Sequence, residues 1–142
     1  MENDRSLVVL SRRECLTLLH AQKIGRMVFT EGALPAVLPV SYAVLDDAVF
    51  VATRIGSRLA VAARGGVLAF EVDHLDPATR SGWSVVVTAF PEFVTLPVEQ
   101  SRALSVLDSW VPGRNELILR LPLTVVSGRR ILADPPPVAA IG

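Results

Sequence analysis

Cysteine is nearly absent from this chain of 142 residues, with Cys15 as its single copy. One cysteine excludes an intramolecular disulfide and a metal site built from several thiolates. Cys15 lies within an amphipathic helical pattern, where a buried thiol is the usual state. A nucleophilic cysteine needs a nearby base and an electropositive setting, and the surrounding sequence offers neither. We therefore predict a structural thiol.

Long apolar runs are also lacking. No segment approaches the roughly 18 apolar residues of a membrane-spanning helix, and MENDRSLVV lacks the basic start and apolar stretch of a signal peptide. We therefore expect a cytoplasmic protein without a membrane partner. Yet 51% of the residues are apolar and the mean hydropathy is +0.45, which is high for a soluble domain. Either a partner subunit covers this apolar surface, as in a homodimer, or a well-filled barrel buries it; we favour the homodimer.

Neither sign of charge is in excess, because 14 basic and 14 acidic side chains give a formal net charge of zero. The chain has no basic tail or basic-aromatic stripe, so we expect no nucleic-acid partner. His74 lies between carboxylates in VDHLD, and one histidine beside Asp73 and Asp76 does not have the spacing of a metal site. We expect no metal and interpret His74 as a surface histidine.

Three helices are predicted. Ser11 and Glu14 have the spacing of a capping box at the start of a helix over residues 11–23, and the other two cover residues 57–64 and 97–110. Alternating apolar residues between them predict about six short strands joined by hairpin turns. A mainly β chain with a few helices and no repeating βαβ unit favours an antiparallel barrel.

One of the predicted strands contains a proline. Pro39 lies inside the strand predicted over residues 36–45, which indicates an edge, a bulge or a strand that faces something other than another strand.

A polar loop is predicted over residues 74–82, followed by a long strand over residues 83–93. One domain is expected, with residues 1–10 as an N-terminal extension and residues 133–142 as a proline-rich tail.

The segment over residues 50–60, FVATRIGSRLA, places a strand end directly before a helix start. It brings the hydroxyls of Thr53 and Ser57 and the guanidinium of Arg58 to one junction. Hydroxyls, free N–H groups and arginine together suit a phosphate. The alternative is that Ser57 only caps the helix and that Arg58 is a solvated surface charge.

Five segments occur in an order that resembles the pyridoxamine 5′-phosphate oxidase-like proteins, the FMN-binding split barrels. They are GRMVFTEGALPAVLPVSYAVLDDAVFVAT, RIGSRLA, GVLAFEVDHLD, SGWSVVVTA and LPLTVVSGRRI. The resemblance covers residues 11–131. It implies a homodimeric, six-stranded split β-barrel with FMN in a cleft between the subunits, and therefore a flavoprotein that acts as an oxidoreductase on a small organic molecule.

The resemblance also implies site residues by position. Thr53, Ser57 and Arg58 would hold the 5′-phosphate. Four consecutive residues would pass beside the isoalloxazine ring with backbone groups near its polar edge, and they are Pro39, Val40, Ser41 and Tyr42. Trp83 and Ser84 would approach from the other subunit. No side chain is indicated as a catalytic acid or base.

Two features depart from the family pattern. Leu59 follows Arg58 where relatives often carry a second cation, and the tail DPPPVAAIG has no counterpart to the substrate-binding residues of the true pyridoxamine phosphate oxidases. The second feature argues against vitamin B6 oxidation. Three alternatives stay open: an F420-dependent reductase on the same fold, a non-enzymatic carrier or sensor of flavin or haem, and a barrel without a cofactor that serves as an interaction module.

Overall fold

The computed structural model describes residues 7–108 and 116–133. These residues form three helices, α1 (Arg12–Leu19), α2 (Arg58–Ala63) and α3 (Pro97–Val106). They also form nine strands: β1 (Leu7–Val9), β2 (Ile24–Glu31), β3 (Leu34–Leu45), β4 (Ala48–Arg54), β5 (Leu68–Asp76), β6 (Ser81–Ala89), β7 (Glu92–Phe93), β8 (Glu116–Pro122) and β9 (Val125–Ile131). The predicted mainly β architecture with a few helices is confirmed.

The described strands number nine rather than the six expected. Part of the difference is β1, which lies in the predicted N-terminal extension and pairs with β9. Part is the strand predicted over residues 83–93, which is two strands, because it stops at Ala89 and resumes at Glu92 as β7. Pro91 lies in this break and has no N–H to continue a ladder.

The strands form a single antiparallel sheet in the order β1-β9-β6-β5-β2-β3-β4-β8-β7. The long strand β3 divides it. The first half-sheet runs from β1 to the start of β3, and the second runs from the end of β3 through β4 and β8 to β7. Among the described residues no ladder joins the two ends, so the barrel stays open on one side.

The main core lies between the half-sheets and receives side chains from both. Met27, Phe70 and Val85 come from the first half-sheet, and Val51 and Leu119 from the second; all are fully buried. Cys15 on α1 is also fully buried in this cluster, as expected of a structural thiol. A smaller cluster underlies α3 and contains Ala48, Phe50, Val94, Ala103 and Ile118.

Local signals located the helix starts better than the helix ends. The capping box of Ser11 and Glu14 is present, with the Ser11 hydroxyl accepting from the Glu14 N–H. However, α1 ends at Leu19 and the chain enters β2 at Ile24, so the prediction to residue 23 was too long. The predicted helix over residues 97–110 is seen to Val106, and residues 109–110 lie outside the described residues. The loop predicted over residues 74–82 is wrong at both ends, because β5 and β6 pair there as a hairpin.

Candidate functional site

The two half-sheets separate at one point along β3. Residues 42–45 pair with β4, whereas residues 34–41 pair with β2 alone. Beyond the pair Tyr42–Val51, β4 continues beside β8 as far as Arg54 without a partner in β3. The strands therefore diverge and leave a wedge between residues 34–41 of β3 and residues 52–58 at the end of β4 and the start of α2. We call this wedge the split.

Alternation along β3 determines which backbone groups face the split. The Tyr42 N–H donates to the Lys23 carbonyl at 3.1 Å, so this residue is bonded on the β2 side. In an antiparallel ladder, the N–H and the carbonyl of one residue point to the same side of the strand, and those of the next residue point to the other side. Val40 therefore bonds toward β2, while Pro39 and Ser41 direct their backbone groups into the split.

Pro39 does not interrupt the ladder between β3 and β2. It pairs with Arg26 in a register that runs unbroken from Ile24–Ser41 to Glu31–Leu34. The missing N–H belongs to a position that faces the split, so β2 loses no hydrogen bond. Of the three alternatives that the sequence left open at Pro39, the structure shows an edge, which is the open side of β3.

The Tyr42 side chain belongs to the core rather than to the split. Its hydroxyl donates to the Leu19 carbonyl at 2.7 Å, and its ring meets the edge of Phe70 with centroids 4.7 Å apart. Burial raises the pKa of Tyr42 to about 12. Val40 is also buried, Ser41 is half-buried and Pro39 is exposed. Tyr42 therefore anchors the inner end of the split.

The far side of the split carries the three residues predicted to hold a phosphate. Thr53 Oγ1 and Ser57 Oγ lie 2.8 Å apart across the turn that joins β4 to α2. Gly56 has a φ of 78°, a left-handed conformation that glycine adopts without strain and that lets the chain turn here. The Ser57 hydroxyl accepts from the Ala60 N–H at 3.1 Å, so the predicted helix cap is present.

Arg58 is exposed and forms an ion pair with Glu31 at the end of β2. This contact joins α2 to the β2–β3 hairpin across the outer end of the split. A groove of about 570 Å³ opens at this ion pair. Its lining residues are Thr30, Glu31, Gly32, Gly56, Arg58, Val61, Ala62, Gly65, Gly66, Val67 and Leu68.

Trp83 and Ser84 do not reach the split of their own chain. They lie on β6, which is three strands from β3 in the first half-sheet, or about 14 Å at the usual strand spacing. The Trp83 side chain faces the core and is 7% exposed. Ser84 is on the opposite, outer face, beside Asp73 and Arg129 on the neighbouring strands. Their contact with a cofactor from a partner subunit stays a prediction.

The sequence interpretation missed a charged cluster on the same outer face. Arg26 Nη1 lies 3.4 Å from a Glu71 oxygen and 3.3 Å from an Asp73 oxygen. Burial raises the pKa of Glu71 to about 7, helped by the hydrogen bond and charge of Asp73, while Arg26 opposes the rise. The alternation of Glu71 and Asp73 along one strand is the signal that could have placed both on one face.

The described residues contain neither a metal-binding cluster nor a membrane-spanning helix. Within residues 7–108 and 116–133, no group of three or more histidine, cysteine, aspartate or glutamate side chains could hold a metal ion. In the same part of the chain, no helix has the length and apolar character needed to cross a membrane. His74 is exposed near the end of β5.

Comparison with known proteins establishes the family. The profile of the pyridoxamine 5′-phosphate oxidase family matches residues 11–130, so this chain belongs to that family. The protein Rv0080 of Mycobacterium tuberculosis, which is uncharacterized, is 39% identical over 138 residues, covering 94% of this chain and 91% of the relative.

Solved structures with the same fold include two described as FAD-binding proteins. The one from Mycobacterium smegmatis is 29% identical, with a TM-score of 0.73, and the match covers 87% of this chain and 97% of that chain. The one from Mesorhizobium loti is 26% identical, with a TM-score of 0.76 and the same coverage. The split-barrel fold implied by the resemblance is therefore confirmed.

Proposed function

We propose that this protein is a flavoprotein that binds a flavin nucleotide in the split. The proposal rests on two chemically different surfaces that lie on opposite sides of the split. One side offers the backbone groups of Pro39 and Ser41, and the other offers the hydroxyls of Thr53 and Ser57 beside Arg58. Similar structures described as FAD-binding proteins support the same ligand class.

The residues present fit this ligand. A flat ring with a polar edge requires a few placed donors and acceptors beside apolar walls, and the open edge of β3 supplies both. Hydroxyls and a guanidinium suit phosphate oxygens. Bound flavin would supply hydride transfer, while the chain orients the ring and holds its phosphate end. The finer proposal is an oxidoreductase that acts on a small organic molecule.

An absorption spectrum of the purified protein tests the cofactor class. We expect the double band of an oxidised flavin, or its appearance after titration with FMN or FAD. A Soret band would favour haem, and a colourless protein that takes up neither flavin would contradict the proposal. Reduction of the flavin-loaded protein by a nicotinamide donor, with turnover, would separate an oxidoreductase from a carrier or sensor.

The charges in the groove at Arg58 favour a flavin over F420. A long anionic tail requires several cations along its path. Among the described residues that line the groove, Arg58 is the only lysine or arginine, and Glu31 is paired with it. We therefore expect F420 to bind more weakly than a flavin nucleotide in the same titration.

The Arg58→Ala variant tests the phosphate end. Loss of a charged hydrogen bond should weaken flavin binding by about 1–3 kcal/mol, measured by isothermal titration calorimetry. Arg102→Ala is the matched control, because Arg102 is also exposed and paired, with Asp46 at 2.8 Å, on another element. Equal affinities for the two variants would remove Arg58 from the site.

We further propose that the protein is a homodimer whose interface includes the open half of β3. Leu34 and Val37 are 72% and 61% exposed on a strand edge without a second neighbour, and natural proteins cover such edges. This arrangement would let Trp83 and Ser84 of the second subunit approach the split. Val37→Asp should shift the protein toward monomer in sedimentation experiments, whereas Val98→Asp, at an 82% exposed position on α3, should not.

A further inference from the structure

The outer face of the first half-sheet is not covered by any of the three described helices. The helices α1 and α2 pack into the main core through Cys15 and Leu59, and α3 lies over the smaller cluster through Ala103. An antiparallel sheet can leave one face in water, so the side chains on this face decide whether it has a partner.

One row of side chains on this face is apolar across five neighbouring strands, apart from one threonine hydroxyl. The strand register places its members side by side in the order Val125, Thr88, Ala69, Val28 and Val37. Val125 and Val37, at the two ends, are 60% and 61% exposed, and Val28 is 36% exposed. A continuous exposed apolar row of this kind marks a surface that binds a partner.

The row is symmetric about β5. Ala69 on β5 is its middle member, with β6 and β9 on one side and β2 and β3 on the other. A second copy turned about a two-fold axis along β5 would place Ala69 against Ala69, Thr88 against Val28, and Val125 against Val37. The face is thus complementary to itself, as a two-fold contact between identical chains requires.

The area of this face is that of a stable dimer contact. At the usual strand spacing, five strands and the length of β5 span about 24 Å by about 30 Å, or about 700 Å². A standard interface covers about 800 Å² on each partner. A second copy of this chain is therefore large enough to be held by this face alone.

Glu71 lies on the same axis, on the outer face of β5. Its carboxyl group contacts Arg26 on β2 and is close to Asp73 on its own strand. Val86 lies opposite it on β6, and the nearest charge beyond that strand is Arg129 on β9. Burial, helped by Asp73, already raises the pKa of Glu71 to about 7. A second carboxyl group at the axis would favour the protonated form further.

We propose that the outer face of the first half-sheet is the contact surface between two copies of this chain, stacked about a two-fold axis along β5 so that their Glu71 carboxyl groups face each other. The inference rests on the proposed homodimer and names its main contact surface. It places β6, which carries Ser84, over β2 of the other copy, beside the open half of β3. Assembly takes up protons, so the dimer weakens as the pH rises and Glu71 ionises.

Substitutions of Ala69 test the position of the axis. Ala69→Glu places two like charges face to face and should convert the dimer to monomer in sedimentation experiments, whereas Val98→Glu on α3 should not. Ala69→Cys should give a covalent dimer with a short bismaleimide, because a residue on the axis meets its own copy. Cys15 is buried, so only the new thiol reacts. Val98→Cys should give no covalent dimer.

The outcomes separate this surface from the homodimer itself, once circular dichroism has established that each variant is folded. If folded Ala69→Glu stays dimeric while Val37→Asp is monomeric, the proposed surface is wrong and the homodimer stands. If the wild-type protein is monomeric at pH 6, both proposals are wrong. Failure of Ala69→Cys to form a covalent dimer in a dimeric protein would also overturn the axis along β5.

The dissociation constant of the dimer, measured by sedimentation equilibrium at pH 6 and pH 9, tests the place of Glu71. For the wild-type protein it should rise at least about tenfold between these two conditions. Glu71→Gln should remove most of this rise and remain dimeric at pH 9, because the amide does not ionise. Glu99→Gln on α3 is the matched control and should behave as the wild type. Equal wild-type dissociation constants at the two pH values would overturn the facing Glu71 pair.

Discussion

The two halves of β3 differ in their strand partners and in their exposure to solvent. Residues 42–45 pair with β4, and Tyr42 is also tied to Lys23 by its N–H and to the core by its ring and its hydroxyl. Residues 34–41 pair with β2 alone and are largely exposed. One continuous strand thus stabilises the barrel at one end and keeps unpaired backbone groups available at the other. Stability and ligand binding should therefore respond to different positions along it.

Of the substitutions considered, truncation of Phe70, which packs against Tyr42 in the half of β3 that pairs with β4, should lower the stability most. Phe70 is fully buried and packs edge-on against Tyr42. Phe70→Ala should lower the free energy of unfolding by about 3–5 kcal/mol, because it leaves a cavity in the core. Val37→Ala in the open half should change it by less than about 0.5 kcal/mol. Urea denaturation at one protein concentration measures both, and similar losses would contradict the contrast.

Tyr42→Phe isolates the hydroxyl. The ring contact remains, but the Leu19 carbonyl loses its donor inside the protein. We expect a loss of about 1–2 kcal/mol in the free energy of unfolding, again by urea denaturation. Flavin affinity should stay unchanged, because the Tyr42 side chain lies in the core and its N–H bonds to the Lys23 carbonyl rather than facing the split. A selective loss of flavin binding would mean that the hydroxyl contacts the ligand.

Glu71 should give a pH-dependent effect on the flank of the open half, where its partner Arg26 pairs with Pro39. Its pKa rises from 4.5 to about 7 on folding, so the native state binds the proton more tightly between these values. Stability should therefore fall as the pH rises through this window and level off above it. The effect should be smaller than that of Tyr42→Phe, because the Glu71 side chain is 25% exposed and solvent screens it.

Glu71→Gln should flatten this decrease in stability with rising pH, as measured by thermal unfolding between pH 4 and 8. Glu99→Gln on α3 serves as the control and should leave the slope as in the wild type. A slope that persists in Glu71→Gln would assign the effect to another group.

Pro39→Ala should have the smallest effect and tests the orientation of the open edge directly. The substitution introduces an N–H that faces the split, so β2 gains no hydrogen bond. Stability should fall by at most about 1 kcal/mol, through the greater freedom of the unfolded chain. In hydrogen-exchange experiments on the flavin-free, monomeric protein, the new amide at position 39 should exchange rapidly, while the Val40 amide is protected. Protection at position 39 without ligand would show that a strand covers this edge.

Prediction from sequence succeeded where the relevant contacts are local. The Ser11–Glu14 box and the Ser57 cap connect residues three positions apart, so spacing alone reveals them. Thr53 and Ser57 likewise meet across one turn. The Arg58–Glu31 pair spans 27 positions in the chain, and no local pattern indicates it. The face on which Trp83 lies depends on the register of β6 with β5 and β9, which the sequence does not reveal.

Local sequence patterns are enough to predict the antiparallel mainly β class, the helix starts and the cluster of hydroxyls and arginine at residues 53–58. Alternation, capping and turn geometry depend on neighbours within a few residues, so they can be read along the chain. Three further features emerge only in the folded protein: β3 parts from β4 after Tyr42, Pro39 faces the resulting split, and Glu31 meets Arg58 at the mouth of a groove. Those features arise from the pairing of distant strands, whose register is set by the packing of the whole core.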